Sequence, residues 1–281
     1  MDERWQPLLA GNPAIERTVV FPRQSFRGPA GALRSIPWML GLGKNRPDVA
    51  LDLQGLLRSA LMARFSGADR TVGLADAREG ARWFYKDVSA VRPGEHSVLR
   101  YLRTLETLGL PKVETPEFFL PPGIRPAHVL PKTPFVLLHP FARGSGKSLS
   151  QKHVSELCRA LHPLPVVLAG MGELRKAAPE NTVNLLNLTS LDELIWLIRA
   201  AAFVVSVDSG PMHIAAAVNP RLLAIHTWSD PRLVGPYGEE AWIWQGGEIR
   251  RQNLSAGTMP APRLPTDEDI ARIAERVRKE M

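Results

Sequence analysis

Residues 203–218 read FVVSVDSGPMHIAAAV. The run Phe203-Val204-Val205-Ser206-Val207 is apolar and rich in β-branched side chains, the pattern of a strand buried on both faces. Asp208, Ser209, Gly210 and Pro211 end it and begin a helix. Ser209 suits the N-cap, Gly210 lets backbone approach a ligand, and Pro211 fits the first helical turn. Met212 to Val218 continues as a small-residue helix able to pack closely on a sheet. A strand feeding a helix this abruptly leaves free N–H groups at the carboxyl end of a parallel sheet, where phosphate is held. Asp208 and His213 would flank that spot. An ordinary buried βα unit with a polar corner accounts for the same residues.

Around this stretch the second half of the chain alternates strand and helix. Phe135 to His139 reads as a strand, and Pro140 to Ser148 as a loop. Ser150 caps a helix with Val154, Leu157, Cys158 and Leu161 inward. Pro165 to Ala169 is a strand ending in Gly170-Met171-Gly172-Glu173. Ser190-Leu-Asp-Glu193 is a capping box opening a helix. Leu222 to His226 is the strand after the opening motif, and Thr266 caps a final helix with Ile270, Ile273, Ala274 and Val277 on one face. The first half alternates less cleanly. Strands are expected at Thr18–Phe21, Asp48–Leu53 and Thr71–Leu74, with helices through Leu42, over Leu57, Leu61 and Phe65, and from His96 to Leu108. Strands alternating with helices predict an α/β fold of parallel, doubly wound sheets. Residues 110–134 hold seven prolines and sustain no helix. This places one domain at 1–133, with the linker at 110–133, and another at 134–281.

At 281 residues the chain has room for two cores, and 44% hydrophobic against 22% charged residues describes a globular protein. The lone Cys158 excludes an internal disulfide and fits a reducing compartment. Apolar stretches are broken at Arg199 and Asp208, short of a membrane span. Residues 1–133 carry 19 Lys/Arg against 13 Asp/Glu, a balance of +6 out of the total +7. Such a half suits an anionic partner: nucleic acid, phospholipid headgroups or a phosphorylated substrate. Spread-out solvated charge fits as well.

His139-Pro-Phe-Ala-Arg-Gly-Ser-Gly-Lys147-Ser148 approaches a phosphate-binding P-loop, but the pattern needs glycine where Phe141 stands. There remains a loop presenting Arg143 and Lys147 at a strand's carboxyl end, suited to a diphosphate or simply solvated. Glu173 follows the second strand of its domain, where doubly wound folds place an acid against ribose hydroxyls. A helix-start glutamate explains it equally. No Cys/His cluster has metal spacing, and neither G-x-S-x-G nor paired carboxylates stand out.

Four segments together resemble glycosyltransferase family 9, the bacterial heptosyltransferases of lipopolysaccharide core synthesis. They are DLQGLLRSA at 52–60, HPFARGSGKSLS at 139–150, LAGMGE at 168–173 and SVDSGPMHIAAA at 206–217. The first, with ARF-G-DRTVGL after it, leans toward the heptosyltransferase I type. The resemblance implies a GT-B fold, two Rossmann-like domains facing a cleft. It implies inverting, metal-independent transfer of a heptose from an ADP-sugar to the Kdo-lipid A inner core, with no cofactor. The setting is the cytoplasmic face of the inner membrane of a Gram-negative-type bacterium. Lys147 then matches the loop lysine that meets the donor's phosphates and sugar; with Asp208 it is the catalytic pair. Arg143, Glu173, Thr189, Ser209, Gly210 and His213 complete the donor site. Arg58, His96 and Arg100 match the acceptor side. The basic first half would meet lipid phosphates, Kdo carboxylates and an anionic membrane surface rather than nucleic acid.

One departure stands against these matches. The family opens with a strand and loop of S-x-G-D type, whose aspartate is proposed to deprotonate the acceptor. The sequence MDERWQPLLAGNP resembles the unit after it, so the first domain is expected to be incomplete by a βαβ piece and to lack that base. Weak donor binding and slow transfer are then expected of this chain. A non-catalytic nucleotide-sugar-binding remnant, or a GT-B transferase using another nucleotide hexose, are the alternatives.

Overall fold

The structure is a computed structural model that describes residues 1–144, 146–255 and 257–281, with backbone alone at Pro29, Ala32 and Asn45. Two compact units emerge: Met1–Glu3 with Val19–Glu117, and Arg4–Thr18 with Phe118–Met281. The cut between Glu117 and Phe118 lies inside the proline-rich segment.

In the first unit, helix α1 (Gly28–Leu42) precedes strand β1 (Val49–Asp52), helix α2 (Leu57–Phe65), β2 (Arg70–Leu74), β3 (Asp87–Ser89) and α3 (Ser97–Thr107). The strands pair in parallel in the order β1-β2-β3. Asp52, buried at the end of β1, organises the turn after it. Its Oδ1 accepts the N–H groups of Gln54 and Gly55, and its Oδ2 accepts the hydroxyls of Ser59 and Tyr85. Gly73 on β2 lies flat under Tyr85, where a Cβ would stand 2.1 Å from the ring.

Two first-half expectations differ from the structure, and one strand was not anticipated. Thr18–Phe21 joins no sheet; Met1 donates to the Val19 carbonyl and Phe21 to that of Met1. The run is short and stopped by Pro22, which has no N–H to extend a ladder. Helix α2 turns Ala60 and Ala63 inward, while Leu57 and Phe65 are exposed. Small side chains let it sit close to its neighbours. Strand β3 was not expected, being only three residues long.

The second unit carries a seven-stranded sheet. Its elements are β4 (Val136–His139), α4 (Gln151–Ala160), β5 (Val166–Gly170), β6 (Thr182–Leu186), α5 (Leu191–Ala200) and β7 (Phe203–Val207). Then follow α6 (Gly210–Val218), β8 (Leu222–His226), α7 (Pro231–Val234), β9 (Trp242–Gln245), β10 (Glu248–Arg251) and α8 (Asp267–Glu280). The order is β6-β5-β4-β7-β8-β9-β10, all neighbours parallel except β9 and β10. Counted from β4, the parallel strands run 3-2-1-4-5-6, the dinucleotide-binding order.

The period-2 alternation of strands divides the core into two layers. Val136, Leu138, Val205 and Val207 face α4 and α8, which contribute Val154, Leu157, Ile273 and Val277. Leu137, Val204, Leu222 and Ala224 face α5 and α6, with Ile195, Ile198, Met212 and Ala215. Leu8 of the N-terminal segment packs against this second layer. The expected caps are in place: Ser150, Ser190 and Thr266 each accept the N–H three residues on.

Candidate functional site

The order 3-2-1-4 puts the carboxyl ends of β4 and β7 side by side, with His139 opposite Ser206 in register. The loops leaving these strands diverge to opposite faces, which opens a crevice at the switch point. From β4, Gly144 and Gly146 take positive φ (+99° and +79°) and bring Lys147 back over the strand ends. From β7, Asp208 follows directly and α6 begins.

Lys147 Nζ lies 2.8 Å from Asp208 Oδ2, joining residues 61 apart in sequence. The same oxygen accepts the Ser229 hydroxyl at 2.7 Å, and Ser229 Oγ is 3.0 Å from His226 Nδ1. Burial pushes the Asp208 carboxyl up, but hydrogen bonds from Lys147 and Ser229 outweigh it and hold the group below the usual carboxylate range. His226 is fully buried, and desolvation lowers it to about 4, so the ring is neutral at pH 7. Lys147 also sits 5.1 Å from the ring centre of Trp228, which is 68% exposed. Thr227 fixes the loop from the other side through Gly146 O at 2.5 Å.

Ser209 occupies the N-cap of α6, yet its side chain makes no capping bond. It donates to Val207 O and stands 3.3 Å from His139 Nδ1. The helix start is therefore left to an incoming acceptor. A Cβ on Gly210 would meet nothing within 4 Å, so that backbone faces open space. His213, one turn on, is exposed, and its charge acts on His226. Arg143 is exposed, without a hydrogen-bond or ion-pair partner among the described residues.

Among the described residues, Glu173 and Thr189 make no hydrogen bond or ion pair with Lys147 or Asp208. Glu173 is exposed in an irregular segment after β5, not at a helix start. The turn before it is pinned by Asn187, which bonds both the N–H and the C=O of Gly172. Thr189 immediately precedes the Ser190 cap of α5. Phe141, standing in for the P-loop glycine, packs on the first core layer and over Gly172.

Within the first unit, Arg58 stacks over Phe21 at 5.1 Å. His96 is 3% exposed and spends Nδ1 as the N-cap acceptor of α3, while Arg100 pairs with Asp76 at 2.6 Å. Among the described residues one His/Asp/Glu cluster could hold a metal ion: His153, Glu156 and Asp267, where Lys152 already pairs with both acids.

Sequence reading did not single out His139, His226, Thr227, Trp228 or Ser229. The available signal was that β4 and β8 each close an apolar run with a histidine.

A parallel sheet in this order, with a lysine and a carboxylate at its switch point, defines a Rossmann-like unit. The profile of glycosyltransferase family 9 (heptosyltransferase) matches residues 39–258. Lipooligosaccharide heptosyltransferase 2 of Haemophilus influenzae is 28% identical over 279 residues, covering 86% of this chain and 78% of that protein. Lipopolysaccharide heptosyltransferase 1 of Escherichia coli is also 28% identical over 279 residues, covering 91% and 86%. The solved structure of the E. coli heptosyltransferase WaaC with ADP superposes with a TM-score of 0.69 at 20% identity, over 96% of this chain and 85% of that one. The chain belongs to glycosyltransferase family 9. It is a glycosyltransferase with the GT-B fold.

Proposed function

We propose that the chain moves a heptose from an ADP-sugar to the Kdo-lipid A inner core of lipopolysaccharide, inverting the anomeric centre without a metal ion. The observation that carries this reading is the Lys147–Asp208 pair at the switch point, beside the uncapped start of α6. The heptosyltransferase relatives and the ADP complex of one of them support the choice of sugar and nucleotide.

In this mechanism the C1–O bond to the diphosphate breaks through an oxocarbenium-like state. Lys147, Arg143 and the first N–H groups of α6 take up the negative charge that develops on departing ADP. Charge placed in advance of the reaction is usually the largest catalytic contribution. Asp208 holds Lys147 in position and offers its other oxygen to a donor hydroxyl. Glu173 and Thr189 border the nucleoside side, with Ser209, Gly210 and His213 around the diphosphate. Arg58, His96 and Arg100 of the first unit serve the phosphorylated, lipid-linked acceptor. No described helix is long and apolar enough to cross a membrane. Access to the acceptor then rests on peripheral attraction of the basic half to an anionic inner-membrane surface.

Calorimetry with ADP-, GDP- and UDP-sugars, with and without EDTA, tests the donor. ADP-heptose should bind best, with EDTA making no difference. Preference for another base, or loss of binding in EDTA, would refute the reading. Transfer to Kdo-lipid A, followed by product anomer analysis, tests the acceptor and the inversion.

A further inference from the structure

We propose that Ser229, oriented by His226, positions the Asp208 carboxylate so that Oδ2 stays anchored and Oδ1 is free for a hydroxyl of the transferred sugar. This rests on the donor reading above and adds two residues to it. The asymmetry of the carboxylate is the starting point. Both of its hydrogen bonds, from Lys147 and Ser229, fall on Oδ2, and Oδ1 has no partner among the described residues.

The direction of the chain follows from counting protons. A carboxylate only accepts, so the single Ser229 proton is committed to Asp208. The 3.0 Å contact between Ser229 Oγ and His226 Nδ1 must then be made by a proton on Nδ1. That leaves Nε2 as a bare lone pair, and Nε2 is buried without a partner. The other tautomer would bury an N–H with no acceptor and set two lone pairs against each other. The order is therefore Nδ1–H to Oγ, Oγ–H to Oδ2, with Lys147 closing from the far side.

The scaffold holds this order rigid. His226 ends β8 beside Gln245 in register on β9, and Gln245 Nε2 donates to the Ser229 carbonyl at 2.9 Å. Asp208, Lys147, His213 and Asp230 are the charged or titratable groups that act on the His226 ring, and burial keeps it neutral among them. Lys147, by contrast, reaches Asp208 on a long unbranched stem whose positive charge is also the group a phosphate would attract. A diphosphate entering the site draws its charge away, and Ser229 is then the fixed bond that keeps Asp208 aimed.

Two measurements test this. Long-range 15N–1H correlation on 15N-histidine-labelled protein at pH 7 should show the His226 proton on Nδ1; a proton on Nε2 overturns the assignment whatever the protein binds. Calorimetry should then show Ser229→Ala weakening ADP-heptose about tenfold or more, with ADP alone within about threefold of wild type and the melting temperature kept. Ser229→Thr, which retains the hydroxyl, should restore most of the loss. Equal weakening of ADP and ADP-heptose, or equal damage by Ala and Thr, refutes the positioning role. Wild-type protein that ignores ADP altogether sinks the donor reading instead, and the tautomer result separates the two failures.

Discussion

Lys147 and Asp208 form an ion pair with side-chain exposures of 26% and 10%. Removing one partner of a half-buried pair does more than delete an attraction, because the other is left uncompensated. Lys147→Met should therefore lower the melting temperature as well as reduce ADP affinity by about tenfold or more, since a charge-assisted bond is lost. Calorimetry and thermal unfolding read the two effects separately. Lys147→Arg is not a rescue: the planar fork would grip Asp208 at two points and hold it away from a phosphate. A second residue-scale prediction concerns Gly170, which has φ +113° and lies where a Cβ would come 2.5 Å from the His139 ring. Gly170→Ala meets both a strained backbone and a clash, and should cost about 1–3 kcal/mol in urea unfolding.

At the scale of elements, the caps give the cleanest test. Ser190 and Glu193 form a reciprocal box at the start of α5, so Ser190→Ala should cost about 1 kcal/mol. Ser209→Ala should show no capping loss at α6, where the side chain makes no such bond. Urea midpoints at constant slope would tell the two apart. The same contrast explains which elements were legible. Strands β7 and β8 stand where their apolar runs predict because both faces are buried, so the sequence has no competing pattern there. Strand β6 escaped notice since TVNLL, an edge strand, carries an exposed Asn184 in its middle. The β9–β10 hairpin did carry a signal, Gly246-Gly247 between WIWQ and EIRR. Helix α2 misled because its conspicuous leucine and phenylalanine are not the residues it buries.

For the whole molecule, pH is the lever. His139 and His226 are lowered by burial from 6.5 to about 4 each. Above pH 6.5 neither state binds the extra protons, and this part of the stability is complete. As pH falls from 6.5 toward 4 the unfolded chain takes up protons that the folded one refuses, and stability drops. The loss is on the order of 3 kcal/mol per ring. Melting temperature measured from pH 7 to 4 should fall along this window, and His226→Phe should remove about half of the fall, His139 supplying the rest. A flat wild-type profile would contradict the burial. The long-range assembly of the site was legible only in part. Lys147 and Asp208 each stand in a recognisable stretch, and the parallel order joins them. His226 and Ser229 had no such flag, because a histidine closing an apolar strand looks like any buried side chain until its neighbours are known.

The segment Arg4–Thr18 is counted with the second unit although the whole of Val19–Glu117 separates it from the rest. On the ribosome this order has a cost in time. Residues 4–18 emerge before the rest of the second unit, and at about 5–20 residues per second those partners follow several seconds later. Until then Leu8 has no layer to cover. The second unit cannot finish folding as one continuous block; it closes only when residues 4–18 meet residues 118–281.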